Sequence, residues 1–134
     1  AVQAQSLAQP ALTGAWKTID DKTGQARSIV TISERDGVYV GRITQRLGDQ
    51  PATLENCDKC NDDRRGMPII GLEIIRGVRQ EGSDNLWAGG GKILDPENGK
   101  EYTVRLVPLE GGQSLQVRGY IGPFYRTQLW HRIP

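Results

Sequence analysis

Histidine occurs once in this sequence, phenylalanine once and cysteine twice, and each scarcity removes or restricts a class of chemistry. With His131 as the single histidine, any Ser-His-Asp or Cys-His arrangement has to use that residue. Two cysteines and one histidine fall short of the four nitrogen or sulfur ligands that structural zinc usually takes, so carboxylates would have to complete a metal site. The acidic residues lack the spacing of an EF-hand loop, and nothing in the chain calls for a cofactor. No apolar run approaches the roughly 20 residues of a membrane-spanning helix, so no transmembrane segment is expected. A formal net charge of +1 provides no strong steering field. No basic cluster is interleaved with aromatics, which argues against a nucleic-acid partner. Aromatic residues are only 6% of the chain, a thin supply for a roomy apolar pocket.

What is present is a rhythm of short β-rich runs and turn signals across most of the 134 residues, as in an all-β barrel or sandwich. The runs are TGAWKTI, ARSIVTISE, VYVGRITQRL, IIGLEIIRGV (which suits a short helix as well, with strand preferred), NLWAGGGKIL, KEYTVRLVPL, SLQVRGYIG and YRTQLWHRI. Asp36-Gly37 between two of them is the strongest short-range hairpin signal, and DPENG suits a type I turn. Tyr102, Val104 and Leu106 alternate with Glu101, Thr103 and Arg105, as in a strand with one buried face. Gly89, Gly90 and Gly91 interrupt a run where only a sharp bend or a close backbone approach would favour glycine. The expected fold is an antiparallel up-and-down barrel of about eight strands over residues 13–134, a size whose interior is filled by side chains or holds one small ligand. Residues 1–12 read as a flexible lead-in left after signal-peptide cleavage, because AVQA has the small-x-small form of a cleavage site.

Carboxylates crowd the turns, among them Asp20, Asp21, Asp62, Asp63, Asp84 and Asp95, where Asp side chains hydrogen-bond the nearby backbone. Arg42, Arg105, Arg118, Arg126 and Arg132 fall inside strands instead. They suit an outer face of long amphipathic side chains, or one or two of them face an anionic ligand inside. Residues 48–68 are polar, carry both cysteines and lack either period; connections of that length are usually functional or constrained. For Cys57-Asp58-Lys59-Cys60 the plain reading in an exported protein is a disulfide. A loop so short would contribute only about 2 kcal/mol. Acidic neighbours disfavour a reactive thiolate. Arg118 and Tyr120 share one strand face with Gln116, and within a small barrel they would hold a ligand carboxylate; the competing assignment puts that face outward and Leu115, Val117 and Ile121 in the core. His131 falls in parity with Thr127, Leu129 and Ile133 on a mostly apolar face, where a packing role is expected.

Gly14-Ala15-Trp16 resembles the Gly-x-Trp signature of lipocalins and the wider calycin group. That resemblance implies a tryptophan closing one end of the barrel under a basic side chain from a late strand, with Arg118, Arg126 and Arg132 as candidates. Six ordered blocks, GAWKTIDDKTGQARSIV, CDKC, PIIGLEI, WAGGGKILDPENGKEY, VRGYIG and RTQLWHR, are similar to the bacterial family named domain of unknown function 2147, small exported proteins with no established activity. Tyr125 stands where that family pattern leads one to expect glycine directly before Arg126. The resemblance implies a periplasmic or secreted barrel of lipocalin-like build.

The functional expectation is non-catalytic binding of a small amphiphilic or anionic ligand, with Trp16, Arg118, Tyr120 and Arg126 as candidate binding residues. The alternative is a filled barrel that presents residues 48–68 to an envelope protein partner. A third reading is an enzyme using the cysteines or His131.

Overall fold

The computed structural model describes residues 12–48, 55–82 and 85–134. Most of the expected lead-in, residues 49–54 of the long connection and Asp84 lie outside the described residues. Among the described residues, nine antiparallel strands follow in chain order: β1 (Gly14–Ile19), β2 (Ala26–Arg35), β3 (Val38–Arg46), β4 (Glu73–Gln80), β5 (Trp87–Ala88), β6 (Lys92–Asp95), β7 (Lys100–Leu109), β8 (Ser114–Ile121) and β9 (Phe124–Arg132). The short β5 and β6 each pair with both β4 and β7 and share one position, so the barrel has eight staves. β1 pairs with β9 and β3 with β4, which closes the sheet and leaves no free edge among the described strands.

The expected NLWAGGGKIL strand is therefore broken in two by its glycines. Gly89 and Gly90 adopt φ of 62° and 84°, and a Cβ at Gly91 would collide with Val78 on β4. The backbone bends there because β4 crosses too closely for a side chain. β4 itself begins four residues later than IIGLEIIRGV suggested, at Glu73. The Leu72 amide donates to the Ile69 carbonyl at 3.0 Å, so residues 69–72 turn before the strand starts.

Alternation decides which side chains enter. Val104 and Leu106 on β7, Val30 and Ile32 on β2, and Leu115 and Val117 on β8 are buried, while Glu101, Thr103 and Arg105 are exposed. Leu129 is exposed on the outer face of β9, because Trp130 takes the inward position. Tyr125 continues β9 in register with Tyr120, so the missing glycine before Arg126 leaves the strand intact.

One barrel end is sealed by Trp16, which is wholly buried and donates from Nε1 to the Leu12 carbonyl at 3.0 Å. Of the three candidate arginines, Arg132 covers it, with its guanidinium carbon 4.2 Å from the ring centroid. The same guanidinium donates to the carbonyls of Gly112 (2.7 Å) and Thr13 (2.9 Å), tying the last strand to the first and to the β7–β8 turn. Gly14 is required beside it: φ is 125°, and a Cβ would lie 2.7 Å from Arg132 Nη1.

Arg132→Met keeps the stem but removes two charge-assisted hydrogen bonds and the cation–π contact, for an expected loss of about 3 kcal/mol in urea unfolding. Arg118→Met, on the outer face, is expected to cost less than about 1 kcal/mol. Equal losses at the two sites would refute the assignment of Arg132 as the seal.

Candidate functional site

Strand direction places the other barrel end at the β1–β2, β6–β7 and β8–β9 turns and at the β3–β4 connection. There a cavity of about 240 Å³ opens between the strands. Its wall is aliphatic rather than aromatic: Ile43, Ile74, Ile93, Leu94 and Val117 line it, with Ile69 supplied by the β3–β4 connection and Tyr102 and Trp130 as its aromatics. The few polar side chains inside are already partnered. The hydroxyls of Thr18 and Ser28 are 2.8 Å apart, and Trp130 Nε1 donates to Gln128 Oε1 at 2.9 Å.

Charge begins at the mouth, which is lined by Asp20, Arg27, Arg46, Asp95, Glu97 and Arg126. Arg27 bridges Asp20 (2.9 Å) and Glu97 (2.8 Å), joining the β1–β2 and β6–β7 turns. Arg126 on β9 reaches Asp21 at 2.5 Å. Asp20 accepts from the amides of Lys22 and Thr23, and these bonds, with Arg27, hold its carboxyl below the usual range. Asp95 accepts from the Glu97 amide at 2.9 Å, yet burial beside the aliphatic wall pushes its carboxyl above the usual range. Both aspartates thus shape turns, as their glycine-containing contexts suggested, and both also border the cavity.

The described part of the long connection folds back over this end. Cys57 and Cys60 form a disulfide, with Cα atoms 5.5 Å apart, and both are buried. Their loop packs against the β6–β7 turn so closely that a Cβ at Gly99 would collide with the Lys59 carbonyl. The stronger tether is Arg64, a residue the sequence did not single out, which is only 1% exposed. It donates to Asp62, to Glu101 on β7 (2.7 Å) and to the backbone carbonyl of Glu73 on β4 (2.7 Å). Arg76 adds Asp63 (2.9 Å) and Glu73. The signal for this network was the DDRR run, whose acids look like ordinary turn residues until β4 and β7 are placed beside them.

The sequence-selected residues do not assemble as one site. Arg126 lines the mouth, whereas Trp16 lies in the sealed end. Arg118 and Tyr120 are absent from the cavity lining; Val117 and Gly119 take the inward positions on β8. Arg118 instead donates to Thr127 Oγ1 at 2.9 Å and lies over the Tyr125 ring on the outer face. Ile121, assigned to the core in the competing assignment, is exposed at the strand tip. His131 is exposed beside Lys17 and Ser114, so the apolar packing role expected of it is not seen.

The comparisons agree with this architecture. The family model described as an uncharacterised protein conserved in bacteria, DUF2147, matches residues 14–132. The fold is similar to that of protein HP1028 from Helicobacter pylori, described as belonging to the lipocalin family, with a TM-score of 0.78 at 20% identity. That alignment covers 94% of this chain and 85% of the other. No curated protein matches the sequence significantly.

Hydrogen bonds from Arg64 lower the Asp62 carboxyl to about 2. A depressed carboxylate stabilises the fold above its unfolded value near 3.8 and loses that contribution as pH falls through the folded value. Because Asp62 is partly exposed, the contribution is about 1 kcal/mol after solvent screening. In urea unfolding, Asp62→Asn is expected to be weaker than wild type at neutral pH, with the gap closing between pH ~4 and ~2. A gap unchanged across that window would remove the tether's electrostatic role.

Proposed function

The chain belongs to this DUF2147 family of uncharacterised bacterial proteins, and from that premise we propose that its barrel is a non-catalytic carrier or sensor for a small amphiphile. The observation that carries the reading is an aliphatic cavity ending at a ring of guanidinium–carboxylate pairs. An alkyl chain fits the first chemistry and a polar head group the second. At about 240 Å³ the cavity is below the ~300–1,000 Å³ common for drug-sized ligands, which favours a slender single chain over a fused-ring ligand. Arg27, Arg46 and Arg126 at the mouth favour an anionic head, which would exchange with the carboxylates already held there. Location in the periplasm or outside the cell agrees with the disulfide. Within the described residues, no helix is long and apolar enough to cross a membrane.

The interior also bears on the protein-interaction alternative. Side chains fill the barrel around Trp16, but not at the end covered by the cysteine-containing connection. A purely filled barrel would lack the aliphatic space beneath Ile69.

Titration with a fluorescent fatty-acid probe, displaced by dodecanoate, tests this reading. Ile93→Trp places bulk in the cavity and is expected to weaken binding at least about tenfold, whereas the outward Arg118→Gln leaves it within about twofold. Because a protonated Asp95 removes a negative charge from the mouth, dodecanesulfonate, whose head group stays ionised, should bind more tightly as pH falls toward the Asp95 titration. No saturable binding by the folded wild type, or identical affinity in the Ile93 variant, would sink the carrier reading.

A further inference from the structure

We propose that the β8–β9 hairpin is a membrane-docking tip that sets the cavity mouth against an anionic phospholipid bilayer. Two exposed apolar residues form the point of the hairpin: Ile121 is 48% and Phe124 76% exposed, and they are direct cross-strand partners. One rung further back, Tyr120 pairs with Tyr125, their ring centroids 5.5 Å apart, and Tyr125 is 56% exposed. Behind the tyrosines, Arg105 on β7 and Arg118 on β8 stand opposite each other in register. Their guanidiniums lean over those rings, Arg105 at 5.9 Å from the Tyr120 centroid and Arg118 at 4.5 Å from that of Tyr125.

From tip to base the order is apolar, phenolic, cationic. That is the order in which a bilayer presents hydrocarbon, interface and phosphate to an inserting element. Charge complementarity selects the lipid. Like charges directly opposite on neighbouring strands are unfavourable, and among the described residues neither Arg105 nor Arg118 has a carboxylate partner. Arg27, Arg42, Arg64, Arg76 and Arg126 all do. Glu101, the acid nearest along β7, is held by Arg64. A pair of guanidiniums kept together and left unneutralised suits phosphate oxygens, which arginine binds bidentately.

The choice of a bilayer over a protein partner rests on the amphiphile reading above. The tip belongs to the hairpin whose Arg126 lines the cavity mouth. Docking there would let an amphiphile pass between membrane and barrel without crossing water.

The test is co-sedimentation of the full chain with vesicles of phosphatidylcholine alone and of phosphatidylcholine mixed with phosphatidylglycerol. Wild type is expected to prefer the anionic vesicles and to be released by salt. Phe124→Asp should lower binding to both vesicle types by about tenfold or more. The double variant Arg105→Gln/Arg118→Gln should lose roughly thirtyfold on anionic vesicles alone, from about 1 kcal/mol for each cation. Circular dichroism and thermal unfolding establish that each variant is folded, and fatty-acid-probe titration reads the cavity separately. Folded wild type that ignores both vesicle types, or folded variants that bind like wild type, would overturn the proposal. Vesicle binding that follows these variants while the probe fails to bind would uphold the docking tip and remove the amphiphile reading.

Discussion

The barrel depends on one guanidinium. Arg132 lies over the indole of Trp16 and donates to carbonyls in the segment before β1 and in the β7–β8 turn. A closed sheet needs its first and last strands joined, and the described β1–β9 ladder is short, with only Trp16–Arg132 and Lys17–His131 in register. The arginine adds what that ladder lacks: a cation–π contact and two hydrogen bonds across the seam. Burial lowers the proton affinity of this guanidinium, but an arginine remains charged, so the seal persists across the physiological pH range. With one end sealed this way, unfilled space collects at the other.

The open end is organised by a different force. Backbone turns there are held by carboxylates, and the carboxylates are held by arginines from distant strands. Arg27 joins the β1–β2 and β6–β7 turns, Arg126 ties β9 to that same β1–β2 turn, and buried Arg64 draws the cysteine-containing connection onto β4 and β7. Isolated surface ion pairs contribute little, but a buried arginine with carboxylate and carbonyl acceptors is costly to disrupt. The division suits the carrier proposed above: an apolar base fixes the frame, and polar tethers define a mouth whose bonds the proposed ligand's head group would exchange. The disulfide constrains one short loop packed on the β6–β7 turn, and the Arg64 network does the wider tethering.

The outer surface shows the same contrast. Arg27, Arg42, Arg76 and Arg126 find carboxylates, whereas Arg105 and Arg118 lie over tyrosine rings and stand opposite each other. Arg118 and Tyr120 share a strand face, but that face is on the opposite side of the sheet from the cavity, and Arg118 lies over Tyr125 while Arg105 lies over Tyr120.

Much of the fold was legible before any coordinates. Period-two alternation, Asp-Gly and Pro-Glu-Asn-Gly turns, and Gly-Ala-Trp at the first strand are local signals, and local backbone preferences express them directly. Eight β-rich runs became eight staves, and the turn roles of Asp20 and Asp95 followed from their glycine-containing contexts. The site was less legible because it is made by distance in sequence. Which of three arginines covers Trp16 depends on which strand lies beside β1. Whether Arg118 faces inward or outward depends on register, where a shift of one residue exchanges the two faces. Arg64 looks like a loop arginine until Glu73 and Glu101 surround it. Sequence alone determined that this chain forms a barrel and where it turns, because those choices are made between near neighbours. Only the tertiary structure decided which end is sealed, what lines the cavity and which cations remain unneutralised, because burial and charge pairing are properties of residues brought together by closure.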